Sequence, residues 1–115
     1  MIRLIIDRVE NLDCAIRPSV GGQCAELHRV LEFAGDHIIT LGRQSDNDVV
    51  LPERTVDRLH ATIEPHKTGI LYTITDMKSH FGIIRNKKPV DGRAPLVDGD
   101  ALFIKPFEIK VEIDS

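Results

Sequence analysis

The stretch Glu108-Ile109-Lys110-Val111-Glu112-Ile113 decides the fold class. Ile109, Val111 and Ile113 share one parity, and Glu108, Lys110 and Glu112 share the other. Successive side chains of a strand point to opposite faces of a sheet, so this pattern predicts a strand with one face in a core and the other in water.

The same period of two recurs back along the chain, and no helical period is sustained. Ala101 to Ile104 is a short apolar run, as are Ile83-Ile84 and Val49 to Leu51, the last closed by Pro52. Ile70, Tyr72 and Ile74 alternate with Leu71, Thr73 and Thr75, and His60 to Glu64 alternates as well. Leu27, Arg29, Leu31 and Phe33 alternate with His28, Val30 and Glu32, and an Ile38 to Leu41 run follows a Gly35-Asp36 turn. Leu27 to Leu41 therefore predicts a β-hairpin. Short strands at intervals of about eight to twelve residues, punctuated by Gly, Pro, Asp and Asn, describe an all-β sandwich or barrel and exclude a helical bundle.

The beginning of the chain is less regular. Ile2 to Ile6 fits a strand, whereas Asn11 to Glu26 contains Pro18, Gly21 and Gly22 and no sustained period. Residues 1–26 are expected to be an N-terminal strand plus an irregular extension packed on the domain, and residues 27–115 the sandwich itself.

The chain has 115 residues, enough for one domain, and at this length roughly two thirds of the unfolded surface is buried on folding. Hydrophobic residues at 42% and charged residues at 29% are ordinary globular usage and exclude disorder throughout. Trp is absent and aromatics are 4%, so the core must be built from Ile, Leu and Val. A formal net charge of -3 argues against global attraction to nucleic acid or an acidic membrane. Any anion site must be local.

Cys14 and Cys24 are too few for a disulfide scaffold; two free thiols in a reducing compartment are favoured, with one short-loop bridge as the alternative. The opening MIRLIID carries Arg3 and Asp7, and no apolar stretch is long enough for a signal peptide or a membrane span. A soluble protein, cytoplasmic or otherwise intracellular, is expected, with no membrane partner. No paired carboxylates, nucleophile elbow or phosphate-cradling Gly-rich loop is visible, and the histidines at 28, 37, 60, 66 and 80 lack metal-ligand spacing. The expectation is a non-enzyme with no cofactor and no metal.

In a sandwich the loops carry the chemistry. Four inter-strand segments are informative: Gly42-Arg43, then Asp57-Arg58-Leu59-His60, then Ser79-His80-Phe81-Gly82 with Asn86 beyond it, and Leu96-Val97-Asp98-Gly99-Asp100. In this order and spacing they resemble the forkhead-associated (FHA) domain. That family's pattern is Gly-Arg, Ser-Arg-x-His, Asn-Gly-Thr with a later Asn, and Leu-x-x-Gly-Asp. The resemblance runs from about Leu27 to Ile113. It implies a twisted antiparallel β-sandwich whose binding loops, at one end, form a phosphothreonine-peptide cleft.

A phosphothreonine brings up to two negative charges and three acceptor oxygens, so its receptor needs a fixed guanidinium, hydroxyls and N–H groups. Arg43 fits the first role, because its planar fork can make paired hydrogen bonds to an oxyanion. Arg58 is expected to border the same cleft, with Ser79 and His80 facing the peptide. By the resemblance, His60 and Asn86 brace loops, as do Gly42, which lets the chain leave its strand, and Gly82, which supplies backbone freedom at a turn.

Two departures bear on the ligand. Asp57 stands where the family places its phosphate-binding serine, and an ionised carboxylate cannot donate a hydrogen bond to phosphate. A unit charge about 5 Å from a dianion costs roughly 2 kcal/mol even at the dielectric of water, a tenfold or greater loss of affinity. Pairing of Asp57 with Arg43 or Arg58 is the alternative. Phe81 stands where the family's asparagine holds the peptide backbone, and exposed it would make an apolar protein contact. Lys78, Arg85, Lys87 and Lys88 add a local basic patch.

The expected function is a signalling module for protein–protein interaction that recognises a phosphorylated or acidic partner segment, phosphothreonine by the resemblance, with weakened or altered affinity. The alternative is an FHA scaffold that makes phospho-independent contacts or self-associates through Phe81 and the basic hairpin. That hairpin lacks the interleaved aromatics of a nucleic-acid site.

Overall fold

The computed structural model describes residues 1–8, 28–66 and 71–114. Cys14, Cys24, the irregular stretch Asn11 to Glu26, Leu27 and Ile70 lie outside these residues. The strands are β1 (Ile2–Arg8), β2 (His28–Phe33), β3 (Ile39–Gly42), β4 (Val49–Val50), β5 (Ala61–Pro65), β6 (Tyr72–Asp76), β7 (Ile84–Arg85), β8 (Lys88–Pro89), β9 (Arg93–Leu96), β10 (Ala101–Ile104) and β11 (Phe107–Ile113). Among the described residues there is no helix, and hence none long and apolar enough to cross a membrane.

A six-stranded sheet of order β2-β1-β11-β10-β7-β8 faces a five-stranded sheet of order β4-β3-β5-β6-β9. All neighbours are antiparallel except β3 and β4, which run parallel. The all-β sandwich predicted from alternation is the observed fold. On β11, Ile109 and Val111 are buried and Ile113 is half-buried, while Lys110 and Glu112 face out. The register sets Leu4 opposite Val111 and Ile6 opposite Ile109, so the inward parities of β1 and β11 coincide.

Against them, from the other sheet, pack Ile39, Leu41, Ala61, Ile63, Tyr72, Ile74 and Leu96, all fully buried. Each buried Leu or Ile contributes about 1.5–3 kcal/mol of transfer free energy. The core is aliphatic, with Tyr72 and Phe107 as its buried aromatics.

Leu27 to Leu41 is not a hairpin. β2 pairs with β1, and β3 lies in the other sheet between β4 and β5. Alternation reports which residues share a face and is silent about the partner strand, so the Gly35-Asp36 turn reads alike whether the chain doubles back or crosses between sheets. β8 and β9, which the sequence leaves as loop, are edge strands carrying Pro89 and Pro95. Proline removes a ladder donor and is tolerated at an edge.

The strand directions bring one set of loops together. The 43–48, 51–60 and 77–83 segments and the Lys105-Pro106 turn lie at one end of the sandwich. Arg43 N–H donates to the Asp57 carbonyl (2.9 Å), Met77 N–H to the His60 carbonyl (3.0 Å), and the Thr55 hydroxyl to the Lys105 carbonyl (2.6 Å). The Asn86-Lys87 turn and the Val97 to Asp100 turn lie at the opposite end, joined by a bond from Asn86 N–H to the Ala101 carbonyl (2.8 Å).

Candidate functional site

Gly42 ends β3 where it meets the 51–60 loop. A Cβ on Gly42 would lie 2.2 Å from the Arg58 carbonyl oxygen. Its φ is not positive. Glycine is needed here for close approach of two backbones, and not for the turn freedom expected from the sequence. The Arg58 carbonyl also accepts from the Asn47 amide (2.7 Å) and from Gln44 N–H (3.3 Å).

Arg43 follows directly, with its backbone N–H on Asp57 and its Nε donating to the Val56 carbonyl at 3.0 Å. One nitrogen of the guanidinium thus anchors the group. The two Nη nitrogens bond to nothing among the described residues, and the side chain is exposed. The Arg58 side chain is exposed on the same loop.

His60 lies at the centre of the cluster. It is fully buried, and both ring nitrogens are used: Asp57 N–H donates to Nδ1 (3.1 Å), and Nε2–H donates to the Gly82 carbonyl (2.9 Å). These partners select the tautomer protonated at Nε2. The ring ties the loop that carries Asp57 to the loop that carries Phe81. Gly82, at φ +73°, takes a left-handed conformation that costs a glycine little.

The Asp57 carboxylate pairs with neither Arg43 nor Arg58. It meets His80 instead, with Nδ1 3.2 and 3.4 Å from its two oxygens. Ser79, expected to face the peptide, is engaged within its own loop: its hydroxyl donates to Asp76 (2.6 Å) and accepts from Gly82 N–H (3.0 Å). Phe81 is 59% exposed, with the Lys105 ammonium 5.7 Å from its ring centroid, inside cation–π range.

The basic residues grouped by sequence are divided. Lys78 lies on the loop with His80. Lys87 and Lys88 lie at the far turn, where Asn86 and Lys87 both take positive φ (49° and 70°) in the two-residue connection of β7 to β8. Arg85 is engaged internally, its Nε donating to Asp100 at 3.0 Å. Asp100, 6% exposed, also accepts from the Asn86 amide (2.9 Å) and Val97 N–H (2.8 Å). Burial opposes its ionisation, but the bonds from Val97, Asn86 and Arg85 outweigh that and hold its carboxyl below the ordinary value. Asn86 therefore braces the far turn and not the arginine end.

With this geometry in view, the sequence model of the FHA domain matches residues 39–104, from the start of β3 to the end of β10. The chain belongs to the FHA domain family. It is 35% identical over 75 residues to the transcriptional regulatory protein EmbR of Mycobacterium tuberculosis, covering 65% of this chain and 19% of EmbR. It is 38% identical over 71 residues to the ABC transporter ATP-binding/permease protein Rv1747 of the same organism, covering 62% of this chain and 8% of that one. The chain thus spans about a fifth or less of these relatives. The solved structure of M. tuberculosis EmbR in complex with low affinity phosphopeptide superposes with a TM-score of 0.67 at 25% identity, covering 99% of this chain and 25% of that one.

Three residues of this FHA domain's loop end escaped the sequence reading. Asn47 pins the Arg58 carbonyl, Asp76 caps the turn at Ser79, and Lys105 covers Phe81. Asn and Asp are turn formers whose side chains mimic backbone partners, so their presence in these loops was the available signal.

Proposed function

We propose that this FHA domain binds a phosphorylated segment of a partner protein at the loop end, with phosphothreonine as the recognised residue and no reaction catalysed. The observation that carries the proposal is the state of Arg43. Its Nε is held on the Val56 carbonyl, so the terminal fork is oriented before a ligand arrives, and that fork is exposed and uncommitted among the described residues. Preorganisation lowers the cost of binding, and a planar fork matches two phosphate oxygens. Arg58, exposed on the adjoining loop, adds a second positive charge. The phosphopeptide complex of the relative EmbR supports the same ligand class. The carboxylate of Asp57 in place of a hydroxyl favours weak affinity.

A second reading has one observation in its favour. Phe81 is exposed at the same end under Lys105, which suits an apolar contact with a partner that needs no phosphate.

Titration of the domain against a phosphothreonine peptide library and its unphosphorylated counterparts separates the two. The first reading expects binding that needs the phosphate and is lost in Arg43→Ala. Equal binding of both peptide forms, unchanged in Arg43→Ala, would sink it in favour of the second.

A further inference from the structure

Asp57 is the residue least suited to a phosphate site, and its surroundings differ from those of a stray carboxylate. Its backbone is held on both sides, the N–H by His60 and the carbonyl by Arg43 N–H. Its side chain, 26% exposed, meets Nδ1 of His80 with both oxygens, while His80 itself is 85% exposed. A carboxylate only accepts, so Nδ1 carries the proton in this contact. Nε2 has no hydrogen bond among the described residues, and the ring is exposed on the loop that His60 ties to the Arg43 segment.

We propose that the Asp57–His80 pair replaces the missing hydroxyl: His80 is a proton-dependent phosphate ligand, and Asp57 is the residue that positions it. This rests on the phosphopeptide reading above. When a phosphothreonine binds, a proton from solvent is taken up at Nε2, and the imidazolium donates through Nε2–H to a phosphate oxygen. The incoming dianion and Asp57 both favour that proton. The positive charges at this end, Arg43, Arg58, Lys78 on the same loop and Lys105 beside Phe81, oppose it. Of the side chains at this end, only an imidazole can serve both as a neutral acceptor and as a cationic donor under ordinary solution conditions. The pair turns a repulsive carboxylate into a support for a cationic donor, and it makes affinity rise as His80 becomes protonated.

The sign of proton exchange gives a clean test. A phosphate with a second ionisation near about pH 6 loses protons on entering a cationic site, whereas His80 gains one. Calorimetric titration at pH 6.5 uses the phosphothreonine peptide that binds tightest in the library screen, in two buffers of different ionisation enthalpy. Net proton uptake is expected for the wild-type domain. His80→Gln is expected to reverse it to release and to weaken binding about tenfold, the loss of one charge-assisted hydrogen bond. Asp57→Ala removes the group that positions His80, so in that background His80→Gln is expected to change affinity much less than it does in the wild-type domain.

Equal proton exchange in wild type and His80→Gln would overturn the proposal, as would an undiminished effect of His80→Gln on affinity in the Asp57→Ala background. Binding that depends on Arg43 with no His80-linked uptake defeats this inference and leaves the phosphopeptide reading standing. Absence of phosphate-dependent binding by the wild type defeats both.

Discussion

The carbonyl oxygen of Arg58 occupies the space that a side chain at Gly42 would need. A Cβ there would be 2.2 Å from that oxygen and 2.7 Å from the Asn47 amide. Neither neighbour can yield cheaply, because the carbonyl is backbone and the amide is bonded to it. Overpacking of this kind costs about 1–3 kcal/mol and forces a backbone shift. Gly42→Ala is therefore expected to lower stability by that amount in urea denaturation. It is also expected to displace Arg43, so any phosphopeptide affinity falls further than stability alone explains. An alanine variant with wild-type stability would show that the two loops are not in this contact.

His60 joins two loops from inside. Removing its fully buried ring leaves a cavity and deprives the part-buried Asp57 N–H and Gly82 carbonyl of their partners. Each unsatisfied buried group costs about 1–3 kcal/mol. His60→Ala is expected to lose about 2–5 kcal/mol, with hydrogen exchange at Asp57 and through residues 79–83 rising more than on β1 and β11. Uniform loss of protection would mean that His60 acts only as core filler.

At the other end of the sandwich, Asp100 gathers Arg85, Asn86 and Val97 N–H. Its carboxyl is held below the ordinary value, so the stability it contributes is fully present above the usual carboxylate range near pH 4 and is lost as pH falls through the lower folded value. Asp100→Asn removes that charge and leaves Arg85 without its carboxylate, and it is expected to cost about 2–4 kcal/mol at pH 7. The wild-type advantage should shrink as urea midpoints are followed toward pH 3. A difference that stays constant over that range would place the origin of the effect outside the ionisation of Asp100.

Much of this fold is legible in the sequence because half-buried strands alternate. β11 and β6 declare themselves through Ile109, Val111 and Ile113 and through Tyr72 and Ile74. What alternation cannot reveal is partnership, and so β2 was read against β3 when its neighbour is β1. β8 and β9 were unreadable for another reason: an edge strand can carry prolines and charges, and Lys88-Pro89 and Arg93 to Leu96 have the composition of a loop. At the candidate site the loops that carry Arg43 and His60 are legible from motif spacing, whereas Asn86, from the same motif, braces the far turn. The pairing of Asp57 with His80 is not legible, since it joins residues 23 apart on different loops. The basic cluster failed in the opposite way, because Lys78 and Lys87 are close in sequence and β7 carries them to opposite ends.

Phe81 offers the sharpest separation of stability from binding. It is 59% exposed, and its contact with Lys105 is a solvated cation–π pair, which contributes about 0.5–1 kcal/mol at such sites. Phe81→Ala should therefore change the urea midpoint little. If phosphate recognition at Arg43 is the whole of the function, affinity for a short phosphopeptide should also change little. If Phe81 contacts the partner protein, binding of the full partner should fall by about tenfold or more, the loss typical of an aromatic anchor, while the short peptide is unaffected. Parallel titrations of peptide and intact partner with the one variant decide between them.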